Sequence, residues 1–147
     1  MMLCDISYAD SYFYDRYGAD GWWDESELNK RRLLNTATLI INNLNFTGDK
    51  SDPDQEDEFP RGTDTEVPVQ IKRACCEIAL CIMNGSEPNY DFDTLFDAST
   101  NLDIGRLTTD PNQVNIAKVH GVPSIVAWGM LRPFLRDGSV ITLSRVD

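Results

Sequence analysis

Basic side chains are scarce in this sequence. Thirteen Lys and Arg stand against 24 Asp and Glu, a formal net charge of −11. A protein that grips nucleic-acid phosphates tightly needs a cationic surface, so the overall field opposes such binding. Histidine is scarcer still: His120 stands alone beside Gly121, with no cysteine or carboxylate at ligand spacing. Long apolar runs are missing. The longest, 38–41 and 78–83, fall far short of the ~20 residues a membrane span requires. Residues 1–5, Met-Met-Leu-Cys-Asp, show neither a basic region nor an apolar stretch, so no secretory signal is expected and synthesis is expected in the cytoplasm.

Recognisable reactive patterns are missing too. There is no P-loop, no G-x-S-x-G, no H-E-x-x-H and no dinucleotide glycine pattern. Carboxylates are plentiful, but without a nucleophile or second histidine they form no catalytic set. The closest approach to a calcium loop, from Asp49 onward, lacks the central glycine and has Pro60 where a bidentate glutamate belongs. Cys4, Cys75, Cys76 and Cys81 are not spaced as a zinc site, and buried free thiols are expected. The sequence therefore predicts no enzyme, no cofactor and no metal.

What is present is helical patterning with segregated charge. Ser7 reads as the N-cap of a short aromatic helix that Gly18 ends. Asp24 and Glu27 read as a capping box for a long helix to about Leu44. Leu33, Ala37, Ile40 and Leu44, beside Leu34 and Ile41, form its broad apolar face, with Lys30, Arg31 and Arg32 outside. Pro68 opens another helix whose buried face is Ile71, Ala74, Cys75, Ile78 and Ile82, and Asn84-Gly85 stops it. Ser124 opens a last helix that Pro133 must bend.

Residues 45–66 read as a long acidic loop; in 49–66 eight carboxylates face only Lys50 and Arg61, a net of −6. Residues 86–113 read mostly as loop, 114–119 as a short strand, and 140–143 as a strand or extended arm. The fold class expected is mainly α: a bundle of three to four helices in 1–137, long acidic loops, and a C-terminal arm at 138–147. Tyr8, Tyr12, Phe13, Trp22 and Trp23 could stack single-stranded bases. Residues 1–25, however, hold six acidic residues and only Arg16, so core packing or subunit contact is the expected use.

The order of these features resembles a known family. The resemblance rests on four stretches: 7–13 with Gly21-Trp22-Trp23; the helix 30–44 with its Asn45-Phe46-Thr47-Gly48 exit; Phe59-Pro60-Arg61-Gly62 with Val67-Pro68 and 71–83; and 130–135 with Arg145. They resemble small bacteriophage neck proteins known as head-to-tail adaptors, connectors or head-completion proteins, some labelled DnaT-like single-stranded DNA-binding proteins. The resemblance implies a structural virion protein at the head–tail interface. It implies a ring, commonly of twelve copies, that meets the portal protein on one side and tail or nozzle proteins on the other, with DNA passing through. Expected subunit contacts are Trp22, Trp23, Phe59 and Arg61. Expected portal or tail docking residues are Arg136, Val140, Ile141, Leu143 and Arg145. The alternative is a single-stranded DNA-binding or replication accessory protein, for which Lys30, Arg31, Arg32, Lys72 and Arg73 are the clustered bases.

Overall fold

The computed structural model describes residues 2–85 and 121–136. The described chain is mainly helical, as expected, with four α-helices: α1 (Ile6–Tyr14), α2 (Glu27–Asn42), α3 (Val69–Met83) and α4 (Ile125–Leu131). Short 3-10 turns cover Asp20–Asp24 and Arg132–Phe134. Among the described residues the β-structure is two isolated bridges, Phe46 with Leu135 and Lys50 with Arg61. The readings at 86–113 and 114–119, and the arm at 138–147, lie outside the described residues.

Helix α3 is central and packs on α1, α2 and α4. Its composition explains this placement. Ala74, Cys75, Cys76 and Ala79 are all buried, and such small side chains let neighbours approach on several sides. Helix α2 brings Leu34, Ala37, Ile40 and Ile41 into the same core, and α4 brings Ala127, Trp128 and Leu131. Burying each large aliphatic side chain contributes about 1.5–3 kcal/mol.

Two helix starts differ from the sequence reading. Asp5, not Ser7, caps α1: its Oδ1 accepts from the Tyr8 N–H at 2.8 Å. Ser26, not Asp24, caps α2, accepting from the Asn29 N–H at 3.1 Å. Asp24 is taken up by the preceding 3-10 turn. At α4 the expected cap holds, with Ser124 Oγ accepting from the Ala127 N–H at 3.0 Å. The Arg132–Phe134 turn follows, with Pro133 where no α-helical N–H is needed.

The acidic segment 45–66 is irregular but tied down from within. Arg61 is its hub. Its Nε donates to the Thr47 carbonyl at 2.9 Å, and a terminal nitrogen donates to Glu58 Oε1 at 2.7 Å. The other terminal nitrogen donates to the Phe46 and Gly48 carbonyls. Phe46 and Phe59 pack edge to face at 4.7 Å, and Phe59 meets Phe134 at 5.8 Å. Asn42, at the end of α2, holds the segment a second time. Its Nδ2 donates to Asp57 Oδ1 at 2.9 Å, and its Oδ1 accepts from the Glu58 N–H at 3.0 Å. Asn42→Ala strands the buried Asp57 carboxylate and that N–H. It should cost about 1–3 kcal/mol, read as a lower urea midpoint and faster proteolysis within 45–66.

Candidate functional site

The end of α1 and the segment joining it to α2 sort their aromatics into two classes. Phe13 and Trp22 turn inward and pack tilted against each other, ring centres 4.7 Å apart. Trp22 is fully buried, and its indole N–H donates to Asp10 Oδ1 at 2.8 Å. Lys30 reaches back from α2 to the same oxygen at 3.3 Å. Its ammonium lies 5.1 Å from the Trp22 ring centre and 4.9 Å from that of Trp23. Lys30 is thus a wedge between two indoles, with its side chain 13% exposed. It does not sit on the open outer face of α2 with Arg31 and Arg32, both of which are exposed.

The second class faces solvent. Tyr14 is 80% exposed, Tyr17 95% and Trp23 47%. Between the two tyrosines sits Arg16, which anchors the segment to α3. Its Nε donates to Glu77 Oε2 at 2.7 Å and a terminal nitrogen to Oε1 at 2.9 Å, a two-pronged pair. Arg16 also donates to the Tyr17 carbonyl, and the Tyr12 hydroxyl donates to Glu77. The Glu77 side chain is 3% exposed. Burial pushes its carboxyl up, but the Arg16 and Tyr12 hydrogen bonds and the Arg16 charge outweigh burial and hold it below its ordinary value. Burial, then Glu77, push the Tyr12 hydroxyl up.

Next to this turn lies an open groove of about 320 Å³. Leu33, Ile82 and Met83 supply its apolar wall, and Glu25, Asn29, Arg32 and Thr36 its polar one, so one carboxylate faces one guanidinium. It abuts the tryptophan turn directly, because a Cβ on Gly21 would lie 3.3 Å from the Met83 methyl. Solvent-facing rings can accept planar bases, and an exposed arginine a phosphate. No group of three or more His, Cys, Asp or Glu among the described residues could hold a metal. None of the described helices is long and apolar enough to cross a membrane.

The structure separates the residues expected to make subunit contacts. Trp22 and Phe59 are buried within the single chain; for Trp22 this is core packing, one of the two uses expected of it. Arg61 is spent on the segment 45–66. Trp23 remains available. Of the expected docking residues, Arg136 is exposed and donates to Asn45 Oδ1 at 3.1 Å and the Gly48 carbonyl at 3.3 Å. Val140, Ile141, Leu143 and Arg145 lie outside the described residues. Lys72 sits 5.3 Å from the Tyr8 ring centre, and Arg73 is exposed.

Sequence reasoning missed the Arg16–Glu77–Tyr12 cluster. Its signal was a lone carboxylate inside the apolar run of α3, which requires a buried partner. It also left Tyr14 and Tyr17 without a role.

A family model described as "Putative DnaT-like ssDNA binding protein" matches residues 4–145. No curated protein and no solved structure matches the chain significantly.

Proposed function

Because the chain belongs to the DnaT-like single-stranded DNA-binding family, we propose that it contacts single-stranded DNA without catalysing a reaction. The observation that carries this reading is the set of solvent-facing rings, Tyr14 at the end of α1 and Tyr17 and Trp23 between α1 and α2. Unpaired bases stack on such rings, at about 1–3 kcal/mol per base. Arg31 and Arg32 are the cations nearest in sequence to the tryptophan turn that face solvent. With about two phosphates neutralised, log K should fall against log salt with a slope of roughly −1.4. The net charge of −11 keeps affinity modest and excludes duplex, whose bases are not free to stack. Trp23→Ala and Tyr17→Ala should each weaken binding of a labelled thymidine oligonucleotide roughly tenfold. Variants that bind as tightly as the parent chain would remove this surface from the account.

A second reading, the neck adaptor ring between portal and tail, is favoured by one specific observation. Asp49, Asp52, Asp54 and Asp64 face solvent, while the cations of that segment, Lys50 and Arg61, are engaged within it. An anionic ring lets DNA slide past without sticking. In this reading about twelve copies, a count taken from the family resemblance, would surround DNA in transit in the virion neck. Co-sedimentation with portal protein supports it; a chain that stays monomeric with portal present opposes it.

A further inference from the structure

Three thiols meet beneath the N-terminal segment. Cys4, just ahead of α1, and Cys75 and Cys76, in the middle of α3, are all buried. Sγ of Cys4 lies 3.6 Å from Sγ of Cys76. Cys75 is engaged elsewhere: its sulfur lies 3.7 Å from Thr38 Oγ1 and 3.8 Å from the Leu34 carbonyl. Thr38 in turn accepts the Leu3 N–H at 2.9 Å. The segment ahead of α1 is thus latched to α2 by one hydrogen bond and laid sulfur to sulfur on α3.

We propose that Cys4 and Cys76 form a redox-modification site that takes a low-molecular-weight disulfide and closes into an internal disulfide stapling the N-terminal segment to α3. The Cys4 thiolate attacks one sulfur of the small disulfide; that bond breaks and one small thiol leaves with a proton. The Cys76 thiolate then attacks Cys4 Sγ, and the second small thiol leaves with another proton. Two protein S–H groups are oxidised to one S–S, and one small disulfide is reduced to two thiols. Cys4 reacts first, because opening residues 2–4 breaks the Leu3–Thr38 hydrogen bond and exposes the Leu3 side chain, whereas exposing Cys76 requires opening α3. In the closed state the neighbouring Cys75 thiol favours the Cys4 thiolate. The Cys76 bond, burial and the nearby Cys76 and Asp5 charges outweigh it and push the thiol up, so the packed form is slow to react.

The test is incubation of the folded full chain with excess oxidised glutathione at mildly alkaline pH, read by intact mass and peptide mapping. The expected product is lighter by two hydrogens, carries one cross-linked peptide pair containing Cys4 and Cys76, and melts at a higher temperature until reductant is added. Cys76→Ser should stop at a glutathione adduct on Cys4, and Cys75→Ser should still cross-link. Should Cys76→Ser fail to fold, the cross-link map of the parent chain decides alone. A cross-link to Cys75 or Cys81, glutathione adducts without a cross-link, or an unchanged mass would each overturn the assignment.

Discussion

Trp22→Ala is expected to cost about 3–5 kcal/mol, whereas Trp23→Ala should cost no more than about 1 kcal/mol. The two indoles are adjacent in sequence and opposite in environment. Trp22 is fully buried on Phe13 with its N–H satisfied by Asp10. Truncation leaves a ring-sized cavity and removes the donor that shares Asp10 with Lys30. Trp23 is about half exposed and its main described contact is the Lys30 ammonium. At roughly 3–4 °C per kcal/mol for a chain of this size, the first variant should melt about 10–20 °C lower and the second within a few degrees of the parent. Thermal denaturation of both variants checks this. Equal losses would contradict the inward and outward assignments, and a larger loss at Trp23 would reverse them.

Arg16→Ala is expected to cost about 2–4 kcal/mol, because it leaves the Glu77 carboxylate buried without its counter-ion. The lower part of that range is favoured by the guanidinium, which is one-third exposed and partly screened. The same cluster makes stability depend on pH. The folded Glu77 carboxyl titrates below its ordinary 4.5. Its contribution is therefore present above that pH and lost as pH falls through the lower folded value. Tyr12 has the opposite sign: its hydroxyl titrates above its ordinary 10.0. Its contribution is present below that pH and lost as pH rises through the higher folded value. Urea midpoints measured from pH 2 to 11 should fall at both ends. Glu77→Gln should flatten the acid limb and shrink the alkaline one; an unchanged acid limb in that variant would show that other carboxylates govern acid unfolding.

The helices were legible because their signals are local. A 3.6-residue apolar period marks α2 and α3, and a serine followed by an apolar run marks α4. Cap identity was less legible, because Asp5 and Ser7 are both good caps; the partner actually made is the Tyr8 N–H. The two tryptophans could not be told apart, because a short 3-10 turn has no periodicity to separate an inward from an outward neighbour. Lys30 read as a surface cation because its partners, Asp10 and Trp22, come from a different element. The same holds for Phe59 and Arg61, whose roles depend on Phe46, Gly48 and Phe134 arriving at one place. The composition of 45–66 reads as solvated loop, and nothing local reports that Asn42 and Arg61 fasten it. The negative charge was legible in full, yet it weighs against tight phosphate binding without excluding stacking on Tyr14, Tyr17 and Trp23.

The most direct test of the proposed function is an anisotropy titration of a labelled thymidine oligonucleotide with the parent chain at low ionic strength. Stacking on the exposed rings predicts a saturable rise, reversed by added salt and absent with duplex of the same length. A flat signal with single strands at protein concentrations where the chain remains folded would contradict it.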